Sequence, residues 1–538
     1  MGCASGKELR EDAPNAQSDL ARLCTESLAS FRGEIVLRGS ASYDEAVASA
    51  RMSNNCAPSQ PALVLVPKSV EDVMAAMRCA AEGERRGVWG GAPPLTVCGG
   101  GHSELCVVDR GITLHMKAMA SVVCDTAAGT LTIGAGATFG PAMEASAPHG
   151  LIMPSGTAPT VGVGAVLGGG VGKLTRSYGL ACDNVVAAEI VLADGSRRMV
   201  RDGVEADADL LWAIRGCGAA FGVVTSLVVK AYPVIAARHG CGRASVMTLP
   251  EAMAPIDAPE AALAGAVDAL VRAEAAARAL PPAQSVDLQI GWAPPTPGAS
   301  PCLMLCTTPT ALIREGADSQ FSHEACEALH FGDHGATQPP QAAYWPIPFE
   351  TLTASGDADV GVEVGGDAGE GAGASLQSSG AVLSYVRQVF VDDLGAAGWR
   401  LLVHTALAAP SALSMIMLQH GGGAGRTPNA ASCFATRRWE YSVLFMALWE
   451  PTSEGAREQN MAWADGAWRA IVDAQLATGC YCVDINPWRR PASSAEEVAL
   501  AFGESLPRLR SLKQALDPSN LLRGGWSLAA EGTHPIAA

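Results

Sequence analysis

A chain of 538 residues, 49% of them hydrophobic and carrying a formal charge of −17, is long enough to bury a large core and to divide into two domains or more. The negative charge excludes a nucleic-acid backbone or an anionic membrane surface as partner, since both would repel it, and a small neutral or cationic ligand fits better. The apolar content is largely alanine and valine spread along the chain, with no uninterrupted run near the ~20 residues of a membrane span, so no integral membrane association is expected.

In chain order, residues 1 to about 30 read as a tail leading into a helix. Glu8, Arg10, Glu11 and Asp12 leave no apolar run for a signal peptide, which favours a cytoplasmic protein. Gly2 and Cys3 invite dual acylation, but Gly6 stands where myristoylation requires Ser or Thr. Ala62 to Val66 reads as a short buried strand. Ser69 then N-caps a helix through about Glu84, whose apolar positions include Val73, Met74, Met77, Ala80 and Ala81. Leu95-Thr96-Val97 is the next strand, and it delivers the run Cys98-Gly99-Gly100-Gly101-His102-Ser103. Three glycines let a backbone approach a ligand closely, and an imidazole follows at once. Taken alone, that run equally describes a surface turn.

Thr130 to Ile133 is a further strand, residues 139–146 a helix, and Val186 to Leu192 a strand closed by the turn Ala193-Asp194-Gly195. Asp209 to Arg215 is a short helix ending at Gly216. A nicotinamide fingerprint fails on spacing: Gly134-x-Gly136 meets Phe139, and Gly162-x-Gly164 meets Leu167, where the third glycine belongs. After Pro233 the composition shifts, with an alanine-rich helix at 260–279, a strand at 442–448 and an acidic, glycine-rich loop near 356–379. Trp439, Tyr441, Phe445 and Trp449 place bulk on a strand face that reads as core. The 16 cysteines show no zinc spacing, so no metal site is expected.

Several of these runs together resemble the berberine-bridge-enzyme-like branch of the vanillyl-alcohol-oxidase flavoproteins. The loop Cys98 to Ser103 is similar to R-x-G-G-H-S without its arginine. Gly156-Thr157-Ala158-Pro159-Thr160-Val161-Gly162-Val163-Gly164 and Gly168-Gly169-Gly170-Val171-Gly172 resemble the next two glycine motifs. Arg176 to Val185 resembles R-x-Y-G-L-A-x-D-N-V, Asp209 to Thr225 a later helix-to-strand motif with Ala220 for asparagine, and Leu512 to Asn520 the closing L-K-x-x-x-D-P-x-N.

The resemblance implies an α+β fold: a two-part PCMH-type FAD-binding domain with an inserted α+β substrate domain built on an antiparallel sheet. The expected divisions are a tail and first helix at 1–30, the FAD domain at 31–235, the substrate domain at 236–490, and a C-terminal segment, 491–538, returning to the FAD domain. It implies FAD as cofactor, monocovalent through His102, because Ala158 stands where a second, cysteine link would form. Gly99, Gly100, Gly101, Ser103, Gly156, Thr157, Val161, Gly162, Gly164, Gly168, Gly170, Asn184 and Val224 are the other implied cofactor contacts. Tyr481 and Asp484 are the implied candidates for the base, Asp484 being ionised at neutral pH without further activation. Val161, three residues after Ala158, implies access for O2, hence an oxidase of a small alcohol, sugar or alkaloid-like molecule. A dehydrogenase with another acceptor and a flavin-binding protein of little activity stay open beside it. Cys24 and Cys79 resemble a disulfide pair of secreted relatives and are expected as free thiols in a reducing compartment. Gln419 and His420 are candidate pocket residues, with His420 expected as a hydrogen-bonded structural group.

Overall fold

The protein is described by a computed structural model covering residues 14–51, 59–234, 236–239, 245–249, 260–292, 303–313, 349–351, 382–450, 455–486, 490, 494–523 and 528. The acidic loop expected near 356–379 and the acylation candidates Gly2 and Cys3 lie outside the described residues.

Short apolar runs bounded by turn residues build the first layer. Glu34–Leu37, Leu63–Val66, Ile112–His115 and Leu95–Cys98 form a four-stranded sheet in that order, the last three parallel and the first antiparallel. Leu63–Val66 and Ile112–His115 are buried at every position, as strands covered on both faces must be. Helix Val70–Arg85 packs on this layer through Val73, Met77 and Ala80. Ser69 caps it by accepting the Asp72 N–H at 3.3 Å, as the sequence predicts. The Asp72 carboxylate is itself buried and accepts the backbone N–H groups of Arg32 at 2.6 Å and Lys68 at 2.9 Å, tying the helix entry to the chain before the first strand.

The second sheet is antiparallel, in the order Val122–Asp125, Thr130–Gly134, Gly222–Lys230, Val185–Leu192, Arg197–Arg201. Its hairpin turns on Gly195 at φ +79°, a left-handed position that suits glycine. The helix predicted to stop at Gly216 runs Ala208–Cys217, with Arg215 and Gly216 pulled out of helical geometry. The Arg215 guanidinium reaches back to the Val185 carbonyl, and Gly216 lies so close to Phe434 that a Cβ would sit 2.9 Å from its backbone nitrogen.

A nine-stranded sheet follows. Its path is Phe349–Thr351, Ala236–His239, Leu303–Ile313, Gln284–Trp292, Met415–His420, Tyr441–Trp449, Leu383–Val391 and Ala477–Gly479, with Ser245–Leu249 also pairing with Leu303–Ile313. All pairings are antiparallel except Ala236–His239 with Phe349–Thr351. Helices Glu260–Ala279, Gly395–Leu407 and Ala456–Asp473 belong to this part of the chain. Tyr441, Val443, Phe445, Ala447 and Trp449 alternate into one continuous core with Trp399, Leu402 and Trp468 of two of those helices. The period of two therefore sends Ser442, Leu444 and Met446 to the other face.

The last helix, Leu506–Leu516, brings the chain back to the first two sheets. Buried Lys513 donates to the Ala220 and Leu522 carbonyls at 2.7 and 2.9 Å and pairs with Asp517 at 2.7 Å. Leu521 and Leu522 enter the apolar cluster of Leu63, Leu65, Met77 and Ile112. No helix among the described residues is long and apolar enough to cross a membrane.

Removing the Asp72 carboxylate strands two backbone N–H groups that it now satisfies. Asp72→Ala is expected to lower unfolding free energy by about 2 kcal/mol, read as a shifted midpoint in urea with an unchanged slope.

Candidate functional site

Two glycine loops meet at the end of strand Leu95–Cys98. A Cβ on Gly100 would lie 2.6 Å from the Gly162 nitrogen and 2.7 Å from the Thr160 carbonyl oxygen, and one on Gly162 would lie 2.6 Å from the Gly100 nitrogen. The loops are thus laid backbone against backbone, a packing that only residues without side chains permit. Gly101 takes φ +73°, and a Cβ on Gly99 would meet the Ala135 carbonyl at 3.1 Å. Gly164, at the start of the helical turn Gly164–Leu167, has open space where its Cβ would be. That space beside a tight glycine cradle suits a ligand with backbone-reading oxygens, as a pyrophosphate has.

His102 closes the first loop. Its Nε2 lies 2.9 Å from Thr160 Oγ1, so the second loop orients the ring. The residue is exposed, yet protein crowding the imidazole desolvates its charged form and lowers its pKa to about 4, against a weaker opposing effect of Thr160. It is therefore neutral at pH 7, with a ring lone pair available. Ser103 is spent locally, its hydroxyl accepting the Leu105 N–H at 3.2 Å. Asn486 donates to Glu104 at 2.6 Å, fastening the chain near 486 onto this loop.

The second glycine run is held from the far end of the sequence. Gly170, at φ +75°, donates its N–H to the Tyr481 hydroxyl at 2.7 Å, and that hydroxyl donates to the Ala165 carbonyl at 3.1 Å. Val483 presses on Gly168, where a Cβ would come within 2.5 Å. Asp484 ends the short turn Cys482–Asp484, and its side chain lies outside the described residues. Gly156 packs against Phe139, and Val161 lies partly buried against the main core. Thr157 accepts a hydrogen bond from Gln419 at 3.2 Å, linking the glycine loop to the large sheet.

Asn184 and Val224 are placed differently from the loop residues. The Asn184 amide donates to the Tyr178 and Leu180 carbonyls and accepts from Tyr232. Val224 is buried in the main core. Cys24 and Cys79 are free thiols, and burial pushes Cys79 up to about 12, with Cys24 adding to the shift.

Sequence reasoning missed Thr160 as the partner of His102 and missed the charges between the sheets. Lys173 pairs with Asp287 at 2.8 Å, both buried. The Arg176 guanidinium donates to the Gln284, Leu280 and Gly421 carbonyls and pairs with Glu440 at 3.2 Å. His420 accepts the Val286 N–H on Nδ1 at 3.0 Å, so Nε2 carries the proton and donates to Glu440 Oε1 at 3.0 Å. Burial lowers the His420 pKa against the pull of Glu440, while Glu440 is held low by His420, Arg176 and Arg278 although burial pushes it up. The available signal was Lys173 and Arg176 standing in an otherwise apolar, glycine-rich stretch. His420 is a structural residue, as expected, and Arg437 pairs with Asp183 through two hydrogen bonds of 2.7 and 2.8 Å.

Residues 61–200 match the family profile of the FAD binding domain. The chain thus carries an FAD binding domain, set in an α+β fold of the berberine bridge enzyme type. Among solved structures it is similar to 6-hydroxy-D-nicotine oxidase from Arthrobacter nicotinovorans, with TM-score 0.67 and 22% identity over 93% of this chain and 98% of that one. Berberine bridge enzyme from Eschscholzia californica gives TM-score 0.69 at 18% identity, over 95% and 99%. In sequence, it is 34% identical over 206 residues to (R)-6-hydroxynicotine oxidase of Paenarthrobacter nicotinovorans, covering 38% of this chain and 42% of that protein. An FAD-linked oxidoreductase of Dictyostelium discoideum is 30% identical over 221 residues, covering 41% and 46%. The alignments thus span less than half the length of these curated relatives.

Two buried histidines set a pH dependence of stability. His420 and His115 are each held below the ordinary 6.5 by burial, His115 at about 4 with Lys117 adding to the shift. The unfolded chain takes up these protons first as pH falls below 6.5, so stability is expected to decline between 6.5 and about 4. Denaturation midpoints across that range check this, and a flat profile would show the histidines are not buried neutral.

Proposed function

We propose that the chain is an FAD-dependent oxidoreductase, an oxidase that takes a hydride from a small alcohol, sugar or alkaloid-like molecule and uses O2 as acceptor, with its flavin held by one covalent bond through His102. The observation that carries the reading is the His102 imidazole, its Nε2 fixed by Thr160, at the mouth of two interlocked glycine loops. FAD, when bound, supplies the hydride-accepting ring and returns its electrons to the acceptor.

The residues divide the remaining work. Gly99 to Gly101 and Gly162 to Gly164 offer backbone N–H groups to the phosphates. His102, neutral and oriented, is a competent nucleophile toward the flavin methyl position. Ala158 has no atom for a second link. Tyr481 holds the Gly168–Gly170 run through its two backbone hydrogen bonds, and Asp484 and Tyr481 are the candidates to receive the substrate proton. The small side chain of Val161 is consistent with an open path for O2. The large sheet supplies the substrate side, with Gln419 bonded to Thr157 at its edge. Relatives named as FAD-linked oxidoreductases and as 6-hydroxynicotine oxidase support the class of reaction.

Acid precipitation tests the cofactor link: the wild-type pellet is expected to stay yellow, and His102→Ala to release all its FAD to the supernatant. Complete release from the wild type would rule out the covalent bond. With any compound that reduces the flavin, Asp484→Ala is expected to lower turnover by roughly 100-fold at unchanged flavin content; full turnover in that variant would remove Asp484 from the chemistry.

A further inference from the structure

One face of the large sheet continues outward from the glycine cradle, and three contacts identify it. Asp287 pairs with Lys173 at 2.8 Å, and Gln419 donates to Thr157 at 3.2 Å. The Phe390 ring meets the Tyr481 ring edge to face, with centroids 6.1 Å apart, in one cluster with Val171. Lys173, Thr157 and Val171 all belong to the glycine-rich stretch that forms or follows the second loop. Side chains two and four places further along each strand stand on the same face.

The pairing register arranges those side chains in two rows. Gln289, Met417, Leu444 and Gln388 stand opposite one another across four strands, and Gly291, Met415, Met446 and Val386 form the next row. Met415, Met417, Leu444 and Met446 are half-buried, whereas Ile416, Leu418, Val443 and Phe445 on the opposite face are closed into the core. None of the residues in the two rows is charged, and the Asp287 carboxylate that precedes them is already paired.

Gln388 adds a polar direction to this apolar surface. It is 2% exposed, and its Nε2 donates to the Ser442 hydroxyl at 3.0 Å. Its Oε1 is buried without a hydrogen-bond partner among the described residues. A buried amide oxygen left unpaired is unfavourable, and a hydroxyl carried in by a ligand would satisfy it. Thioethers make favourable contacts with aromatic rings, whereas a polyol laid on methionine and leucine would bury hydroxyls that find no partner.

We propose that this face is the substrate wall and that it selects an uncharged aromatic alcohol, its ring on Met415, Met417, Leu444 and Met446 and its hydroxyl donating to Gln388 Oε1. The proposal narrows the substrate of the oxidase reading above and rests on that reading. A sugar meets too few polar groups on the two rows, and an anion meets no cation there.

The test titrates the whole flavin-loaded protein with naphthylmethanol, methylnaphthalene, hydroxymethylnaphthoate and glucose, reading dissociation constants from the shift of the flavin spectrum. Naphthylmethanol is expected to bind roughly 100-fold more tightly than glucose and roughly tenfold more tightly than the naphthoate. Gln388→Leu is expected to weaken naphthylmethanol about tenfold and to leave methylnaphthalene, which has no hydroxyl, unchanged. A merely structural role for Gln388 would move both alike, and that result would overturn the proposal. Leu444→Asp, and the volume-conserving Met417→Gln, are expected to weaken both ring probes; unchanged affinity in either variant, unfolding cooperatively, would also overturn it. Flavin absorbance is recorded before each titration. Protein that neither carries nor takes up FAD contradicts the oxidase reading and this proposal with it, whereas flavin-loaded protein that binds glucose as tightly as naphthylmethanol contradicts the proposal alone.

Discussion

The site depends on one close approach, that of the Gly99–His102 loop to the Thr160–Gly164 loop. Their backbones come so near at Gly100 and Gly162 that either position would collide with the opposing chain if it carried a side chain. The consequence reaches outward in both directions. Thr160 is brought within 2.9 Å of His102, which fixes the ring, and Gly164 is left facing open space where a ligand can lie. Leu95–Cys98 supplies the first loop and is itself held parallel to the fully buried strand Ile112–His115, so the loop starts from a rigid edge.

A second constraint joins the glycine loops to the large sheet. Lys173 and Arg176 leave the glycine-rich segment and end on Asp287 and Glu440 in the sheet, with His420 buried between. Buried charges of this kind are costly unless every partner is present. Arg176 meets the condition by spending its donors on three carbonyls as well as the carboxylate. The network therefore sets where the sheet stands over the cradle more than it adds net stability. From the other side, Tyr481 and Val483 press on Gly168–Gly170, and Asn486 reaches Glu104 beside His102. The candidate base thus sits in a segment fastened to the glycine runs at both ends.

Local order was legible where local physics decides it. The Ser69 cap, the strands at Leu63–Val66 and Leu95–Cys98, the hairpin at Gly195 and the alternation over Tyr441–Trp449 all follow from residues a few places apart. The glycine loops were legible as motifs, and their order along the chain pointed to flavin. What a sequence does not display is which distant groups meet. Lys173 finds Asp287 more than a hundred residues away, and Tyr481 finds Gly170 across most of the chain. Tyr481 read as a possible base because its neighbours resemble a tyrosine-bearing strand; in space its hydroxyl is engaged with backbone. Cys98 read as a lost arginine, and only the fold puts its thiol on the Ala50 carbonyl.

The claim on which the rest turns is that the cradle exists because two backbones touch at Gly100. The most direct measurement is the flavin-to-protein absorbance ratio of Gly100→Ala, purified beside the wild type, with thermal unfolding recorded on both. A cooperative transition with flavin content reduced to less than about a tenth of wild type is the expected result, since the added methyl must push the loops apart. Full flavin loading in that variant would contradict it.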